Sequence, residues 1–325
     1  MDIVKSNTNI DFMGRRYQAL VLSGLLIVLA IGSLAVRGIN FGLDFTGGTL
    51  IEVSYPAAPE VNEIRQTLAD AGFDDFTVQT FGTARDIVVR IPADASGATG
   101  AELSNRVLDA LAAQAPDIDL RRVEFVGPQV GRELAEQGGL ALLYALFGIL
   151  IYVSFRFQWR FALGAVAALV HDVLIIVGLL SLFQINFDLT VVAALLAVIG
   201  YSLNDTIVVY DRLRENFRIK RKGGPVELVN LSVNQMLGRT LMTSLTTLLV
   251  LLALFYFGGE IIHAFALTLI LGVIVGTYSS IYIAGKAVIA LGVSRQDLMP
   301  VQKEDDDEAI TEILPERMRR EGGSS

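Results

Sequence analysis

The sequence predicts a polytopic α-helical membrane protein with six transmembrane helices and one exterior α+β ferredoxin-like domain. Of its 325 residues, 53% are hydrophobic and only 18% are charged, a composition too apolar for an ordinary soluble domain. The mean hydropathy is +0.54. Six apolar windows are each long enough to cross about 30 Å of hydrocarbon. The polar stretch between the first two windows must fold outside the membrane.

The six windows place both chain termini on one side of the membrane. They cover residues 19–36, 138–155, 161–183, 189–210, 240–257 and 261–285. Arg15 and Arg16 precede the first window, as they would in a secretory signal, but the window is longer than a signal core, so we interpret it as a retained anchor. Residues 138–290 then form a membrane domain of five helices.

Basic residues set the expected orientation. Lysine and arginine occur in residues 1–18 and in the loops after the second and fourth windows, whereas the loops at 184–188 and 258–260 carry none. Because positive loops stay in the cytoplasm, both termini are predicted to be cytoplasmic. The end of the chain, 291–325, contains the run "EDDDE" and is predicted to be a solvated, disordered acidic tail.

The exterior domain, residues 37–137, has the element order of a split βαβ fold. Strand-like alternation and helical periodicity predict strand 48–55, helix 59–71, strands 76–81 and 86–91, helix 99–113 and strand 120–126. The order β-α-β-β-α-β is that of a ferredoxin-like domain.

Three connecting segments leave alternatives open. Glycines in "NFGLDFTGGT" indicate a tight turn or close packing, whereas a phosphate loop would need a helix to follow instead of the predicted strand. "VGPQVG" is either a hinge or a passive turn. The basic stretch 211–238 either lies along an anionic membrane surface or only fixes the topology.

Asp205 interrupts the fourth window at a cost of about 2.5–3.5 kcal/mol if it is ionised near the helix centre. It therefore needs a partner, a water-filled cavity or a proton. Tyr201, Ser202, Asn204 and Thr206 make this part of the helix locally polar. We expect them to line a hydrated cavity around the carboxylate.

Arg239 begins the fifth window at a depth comparable with that of Asp205, and Thr243 continues its helical face. A nearby guanidinium favours an ionised carboxylate, whereas desolvation favours a protonated one. An arginine that moves would therefore switch the carboxylate between the two states, as a proton relay requires. A static ion pair that joins two helices remains the alternative.

Three further features of the apolar windows need an interpretation: an adjacent histidine and aspartate, a second histidine and a pair of glycines. His171 and Asp172 stand in the middle of the third window and, being adjacent on a helix, are not expected to face each other. Interhelical hydrogen bonds and membership of a proton path both remain open for them. His263 is expected at the membrane interface. Gly272 and Gly276 predict a helix packing seam, and a partner subunit is one candidate to occupy it.

Several motifs together resemble the SecF proteins of the bacterial SecD/SecF protein-export family, within the resistance–nodulation–division superfamily. They are "FGLDFTGGT", "VGPQVG", "HDV", "VIGYSLNDTIVVYDRLREN", "RTLMTS" and "GTYSSIYIA", in that order along the chain. The resemblance implies a subunit that pairs with SecD, associates with the SecYEG channel and helps to draw out polypeptide that SecA has driven in. It implies an inner-membrane location with the exterior domain in the periplasm.

The resemblance also assigns residues. Asp205 becomes the carboxylate of a proton path driven by the proton-motive force and Arg239 its charged neighbour, with the polar residues named above in support. No enzyme activity, bound cofactor, metal or nucleic-acid partner is expected, and the coupling ion is the proton. The chain has no cysteine and two histidines. A proton-coupled exporter of small or lipidic molecules and a passive scaffold are the alternative functions.

Overall fold

A computed structural model describes residues 9–92, 100–220 and 223–293, apart from the side chain of Glu260. Residues 1–8 of the predicted cytoplasmic N-terminus and residues 294–325 of the predicted acidic tail lie outside the described residues. A 3-10 turn at Met13–Arg15 precedes the first helix. The helices are α1 (Arg16–Arg37), α2 (Leu43–Thr46), α3 (Val61–Asp70), α4 (Gly100–Ala112), α5 (Pro128–Arg156), α6 (Trp159–Leu182), α7 (Leu189–Ile219), α8 (Pro225–Phe257) and α9 (His263–Ala290).

The strands are β1 (Gly48–Ser54), β2 (Thr77–Phe81), β3 (Thr83–Ile91) and β4 (Asp119–Val126). They form one sheet in the order β2-β3-β1-β4, and every neighbouring pair is antiparallel. This is the strand order of a ferredoxin-like domain. Ile51 at the centre lies opposite Val89 on β3 and Val123 on β4. Helices α3 and α4 cover one face, where Leu68 and Val107 are fully buried.

The links between this domain and the membrane helices are short. Gly48 has a φ of +124°, and a Cβ at this position would clash with the Ile91 carbonyl. The glycine motif thus allows a close approach of two backbone segments of the protein, whereas packing of this motif against the bilayer surface stays a prediction. At the other end, β4 stops at Val126 and α5 starts at Pro128, so Gly127 alone separates strand from helix. Helix α5 thus begins ten residues inside the stretch that hydropathy assigned to the exterior domain, since its first turns are polar.

Six helices, among the residues described, are long and apolar enough to cross a membrane: α1, α5, α6, α7, α8 and α9. Three of them, α6, α7 and α9, bury much of their surface inside the chain, whereas α1, α5 and α8 expose most of theirs. Gly272 and Gly276 of α9 pack against Val198 and Ser202 of α7. The predicted packing seam is present, but α7 of the same chain fills it and no partner subunit is needed there.

Helices α7 and α8 both extend well beyond the apolar windows. Leu213 and Phe217 at the end of α7 are buried in the same cluster as Leu228 and Val229 at the start of α8. The Asn216 side chain donates a hydrogen bond of 2.7 Å to Ser232 Oγ. The apolar face of this segment therefore packs inside the protein, and the position of its basic residues at an anionic membrane surface stays a prediction.

Candidate functional site in the membrane domain

A buried carboxylate joins the three inner helices. Asp172 of α6 is 0% exposed. Its Oδ2 accepts hydrogen bonds from Ser202 Oγ of α7 at 2.6 Å and from Ser279 Oγ of α9 at 2.7 Å. Hydrogen bonds to an ionised acceptor are among the strongest in proteins, and they satisfy a group that is costly to bury alone. Asp172 therefore links α6, α7 and α9 at one point inside the bundle.

His171 completes this cluster from the same helix. Its Nδ1 lies 2.8 Å from Asp172 Oδ1, so the prediction that the two side chains do not meet is wrong. Adjacent Cβ atoms do diverge on a helix, but rotation of both side chains brings the ring to the carboxylate. The imidazole stacks on the Tyr278 ring of α9 at a centroid distance of 6.4 Å. Its Nε2 is buried and has no hydrogen-bond partner among the described residues.

Asp205 lies three residues after Ser202 on α7, and its surroundings differ from those of Asp172. It is 3% exposed, and its Oδ2 has no hydrogen-bond partner among the described residues. Arg239 of α8 is near enough to act on it electrostatically. However, no ion pair within 4.0 Å joins them in the described part of the chain. A buried carboxylate in this position is either protonated or in need of water or a cation.

Arg239 faces away from the packed interior. The residue is exposed on the chain, as is Thr243 one turn later, whose hydroxyl bonds only to the carbonyls of Arg239 and Thr240 on its own helix. The prediction that Arg239 and Thr243 share a face agrees with this arrangement. Within residues 9–92, 100–220 and 223–293, the side of α8 that carries them is exposed.

The polar residues around Asp205 do not form one cavity lining. Ser202 belongs to the Asp172 cluster, and Asn204 is exposed on the outer side of α7. Thr206 is 1% exposed and its hydroxyl has no hydrogen-bond partner among the described residues. Tyr201 points to α8, where its hydroxyl lies 3.4 Å from Ser244 Oγ. Spacing placed these residues on one helix but could not assign their faces.

The sequence alone assigns no role to Ser244 of α8 or to Thr277 and Ser279 of α9. Ser244 Oγ lies 2.7 Å from Thr277 Oγ1, and this pair continues the contact from Tyr201. Ser279 follows Gly276 by three residues and so shares the face that meets α7. That spacing indicates the packed side of α9, but it does not identify the acceptor of Ser279, which is Asp172 of α6.

The start of α7 is tied to the exterior domain. Asp188 caps the helix by accepting a hydrogen bond from Val191 N at 2.9 Å, and Asp44 of α2 accepts one from Leu189 N at 3.0 Å. Gly42 N also donates to the Phe187 carbonyl at 2.7 Å. Burial lowers the pKa of the Arg90 guanidinium on β3, and the nearby Asp188 carboxylate opposes this shift. The helix that carries Asp205 thus starts in contact with α2, and its Asp188 interacts electrostatically with Arg90 of β3.

A metal centre has no support in the described residues, since they contain no group of three histidine, aspartate or glutamate side chains able to hold one ion. His263 begins α9, and its ring lies 3.9 Å from the Phe255 ring. Its position at the membrane interface stays a prediction.

Comparison with known proteins decides the family. The model of the C-terminal part of the protein-export membrane proteins SecD and SecF matches residues 106–294, and the model of the SecD/SecF GG motif matches residues 32–55. The chain belongs to the SecD/SecF family. Two relatives named protein translocase subunit SecF are similar over nearly their whole length. The one from Pseudomonas aeruginosa is 53% identical over 91% of this chain and 96% of the relative. The one from Escherichia coli O157:H7 is 49% identical over 94% and 95%.

A solved SecD/SecF structure supports the same assignment. The crystal structure of SecDF, described as a translocon-associated membrane protein from Thermus thermophilus, superposes with a TM-score of 0.81 at 38% identity. The match covers 89% of this chain and 39% of the SecDF chain. The SecD/SecF relatives are named as translocase subunits, so this chain is a membrane transport component and not an enzyme.

Proposed function

We propose that the chain couples proton flow down the proton-motive force to late steps of polypeptide translocation. Asp205 takes up and releases the proton, and Arg239 controls which form of the carboxylate is stable. One charge that crosses 100 mV provides about 2.3 kcal/mol, enough to shift an equilibrium between two domain positions. Several protons per useful step are therefore expected.

The unsatisfied Asp205 carboxylate is the observation that carries this proposal. A structural carboxylate in a membrane helix normally has hydrogen-bond or ionic partners, as Asp172 has. Asp205 Oδ2 has none among the residues described, while Arg239 stands near on the next helix. This arrangement supports a carboxylate that binds a proton in one state and interacts with Arg239 or water in another.

The contacts at the start of α7 support coupling to the exterior domain. Asp44 and Gly42 bond to the backbone at Leu189 and Phe187. A shift or rotation of α7 that follows protonation of Asp205 therefore acts directly on the segment that leads into β1. No flexible linker intervenes between the helix and this segment.

Exposed polar residues of the membrane helices support the expected assembly. The basic loops support the expected location. We expect a second six-span subunit, SecD, to cover the face with Asn204, Arg239 and Thr243, because an exposed arginine is costly against lipid. The SecYEG channel and the preprotein driven by SecA are the further expected partners. The distribution of basic residues supports an inner-membrane location with cytoplasmic termini and a periplasmic domain.

An exporter of small or lipidic molecules is less well supported. It would need an apolar pocket between the exterior domain and the membrane helices. One exists beside Phe41, Phe45 and Phe187, but its volume is about 140 Å³, below the range of roughly 300–1,000 Å³ of small-molecule sites. A passive scaffold does not explain why a carboxylate is buried without partners.

The test uses Asp205→Asn in membrane vesicles that contain the whole translocase. Asparagine keeps the shape of the side chain and removes the exchangeable proton. We expect the late phase of translocation to lose its response to an imposed proton gradient, while translocation driven by ATP continues. Glu215→Gln is the matched control, since it exchanges an exposed carboxylate of the same helix for an amide.

Two results would contradict the proposal. One is an undiminished response to the gradient in Asp205→Asn vesicles. The other is an equal loss in Glu215→Gln, which would show that exchanging any carboxylate of α7 for an amide disturbs the helix. Assembly of the complex, measured by co-purification, separates failed coupling from a missing subunit.

A further inference from the structure

We infer that the chain binds a zwitterionic phospholipid with a primary ammonium group, of the phosphatidylethanolamine type, where the exterior domain meets the membrane helices. Two adjoining pockets carry this inference, one polar and one apolar, and Phe41 belongs to the lining of both. A phospholipid has the same two parts, a polar headgroup joined to apolar chains. Neither pocket contains a residue of the proposed proton path, so the site is independent of that proposal.

The polar pocket lies on the side of the exterior domain and has a volume of about 190 Å³. Besides Phe41, its lining includes Asn40, Thr46, Gln79 and Arg90. The apolar pocket lies on the side of the membrane helices and has a volume of about 140 Å³. Besides Phe41, its lining includes Phe45, Gly138, Gly139, Leu142 and Val192.

The apolar pocket lies at the boundary of the hydrocarbon nearer the exterior domain. Gly139 and Leu142 belong to the start of the apolar stretch of α5, and Val192 belongs to the first turn of α7. A Cβ on Gly139 would meet no atom within 4 Å, so space remains beside this glycine. The pocket is too small to enclose a whole amphiphile. It therefore holds the first methylene groups of an acyl chain that otherwise stays in the bilayer.

Arg90 supplies the positive charge of the polar pocket. A guanidinium has five N–H donors, and the one hydrogen bond of this group among the described residues is long, 3.5 Å from Nη1 to the Phe41 carbonyl. Within the same part of the chain, no carboxylate forms an ion pair with it within 4.0 Å. A phosphodiester group offers acceptor oxygens that match the guanidinium donors.

Other residues of the polar pocket offer hydrogen-bond acceptors. The side-chain nitrogen of Asn40 donates two hydrogen bonds, of 2.8 and 3.1 Å, to the loop between α6 and α7. Both N–H groups of the amide are then used, so its Oδ1 is left as an acceptor. Thr46 Oγ1 donates to neighbouring backbone carbonyls and keeps its own lone pairs. The pocket thus presents a cationic donor and neutral acceptors together.

This combination favours a zwitterionic headgroup over an anionic one. The Asp188 carboxylate acts electrostatically on Arg90, so a ligand with a net negative charge gains less there. A primary ammonium carries three N–H donors for the acceptors of the pocket, as the ammonium of lysine does, whereas a quaternary choline group carries none. Phosphate at Arg90 and ammonium at Asn40 and Thr46 therefore satisfy both charges of one headgroup.

The depth of the apolar pocket favours a lipid over a polypeptide. An extended peptide could also bond to the polar groups around Arg90. To fill the apolar pocket, however, it would have to bring its backbone to the level of Gly139 and Val192, where unpaired N–H and C=O groups are costly. An acyl chain reaches this level without that cost.

Tryptophan fluorescence tests the inference. Phe41→Trp places an indole in the wall that the two pockets share, and Trp159→Phe removes the single natural tryptophan. The full-length chain is reconstituted in phosphatidylcholine vesicles with a small fixed fraction of phosphatidylethanolamine, phosphatidylglycerol or phosphatidylcholine that is brominated on its acyl chains. Bromine quenches tryptophan fluorescence at short range. Phe257→Trp in the same background is the reference probe, because Phe257 is 89% exposed at the end of α8, which lines neither pocket.

We expect brominated phosphatidylethanolamine to quench the Phe41→Trp probe more strongly than the other two lipids do at equal mole fraction. The preference over phosphatidylcholine should be about fivefold, the factor for one net hydrogen bond. The Phe257→Trp probe should show no preference, since it reports only the average composition of the bilayer.

Two pairs of variants separate the two pockets. Arg90→Gln should remove most of the preference because the phosphate is no longer held, and Arg85→Gln is its matched control at an exposed site on the same strand. Gly139→Leu should fill the apolar pocket and lower the quenching of the Phe41→Trp probe by all three lipids. Gly148→Leu is its control on α5, since a Cβ there also meets no atom within 4 Å.

Four outcomes would overturn the inference. Equal quenching of the Phe41→Trp probe by the three lipids would show that no headgroup is selected. Stronger quenching by phosphatidylglycerol would show that the positive charge acts alone and that the ligand is an anion. Equal effects of each variant and its control would show that neither pocket is involved. Weaker quenching by every lipid than at the Phe257→Trp probe would show that polypeptide fills the pockets instead of lipid.

Discussion

Asp172 and Asp205 are both carboxylates buried inside the same helix bundle, and they differ in what surrounds them. Asp172 receives hydrogen bonds from α7 and α9 and contacts the imidazole of His171. Asp205 Oδ2 has no hydrogen-bond partner in the part of the chain that the structure describes. Satisfied groups hold a structure in one arrangement, whereas an unsatisfied group changes its state readily. Burial alone therefore does not distinguish a structural carboxylate from one that exchanges protons.

The largest expected effect is that of Asp172→Ala on stability. The change leaves the Ser202 and Ser279 hydroxyls and the His171 ring without their acceptor in a closed interior. We expect the free energy of unfolding to fall by about 3 kcal/mol or more. Thermal unfolding of the detergent-solubilised chain measures this, with Asp205→Ala as the control at a buried site of similar chemistry. Equal losses in the two variants would remove the contrast between the sites.

A smaller loss is expected for each serine that bonds to Asp172. Ser202→Ala and Ser279→Ala should each lower the free energy of unfolding by about 1.5–3 kcal/mol, the usual range for hydrogen bonds to charged groups. Both hydroxyls bond to the same oxygen, so the effects should not add in the double variant. A double-mutant cycle on the full chain tests this point. Strict additivity would show that the two bonds are independent.

Asp205→Asn should change stability little, by about 1 kcal/mol or less, because no hydrogen bond to Oδ2 is lost. Its effect should appear in the response of translocation to the proton gradient. Measuring both stability and the response to the gradient on this variant distinguishes Asp205 from Asp172, whose substitution is expected to lower stability. A large drop in the unfolding temperature of Asp205→Asn would show that Asp205, like Asp172, mainly stabilises the fold.

The smallest effect concerns Asp86 in the exterior domain. Hydrogen bonds from Ser54 and Thr83 lower the pKa of this carboxyl, and Thr83 Oγ1 lies 2.6 Å from Asp86 Oδ2. A lowered pKa stabilises the fold above the unfolded value of about 3.9, and the contribution disappears as the pH falls through the folded value. Because water surrounds the group, Asp86→Asn should cost about 0.5 kcal/mol or less at neutral pH. Unfolding curves at pH 3 and pH 7 measure it: the difference from wild type should be smaller at the lower pH, and a difference that grows there would contradict the assignment.

The sequence predicted the six spans from hydropathy and the order of helices and strands in the exterior domain from periodicity. Hydropathy placed the end of α7 near Tyr210, but the helix continues to Ile219 since Leu213 and Phe217 pack against α8. A window that stops at charged residues cannot detect packing outside the membrane. The same limit explains why α5 begins at Pro128 and not at Gly138.

Within the site, the position of each residue along its helix was easier to predict than the direction in which its side chain points. The positions of Asp205 and Arg239 follow from their distance to the helix ends. Their separation depends on side-chain torsions and on the rotation of α8, which spacing does not define. The contact between His171 and Asp172 depends on torsions in the same way. Asn204 faces outward because α7 has one packed side, and only the contact with α9 identifies that side.

The single residue between β4 and α5 has a mechanical consequence. Strand β4 pairs with β1 along its length, and eight residues of strand span about 26 Å. Because only Gly127 lies between strand and helix, β4 can shift very little relative to α5. If the joint at Gly127 holds its angle, a tilt of α5 by about 10° carries the far end of β4 through about 4–5 Å. The exterior domain would then behave as a lever arm whose fulcrum lies at Gly127, beyond the polar first turns of α5, and its stroke length would depend on the stiffness of this one glycine.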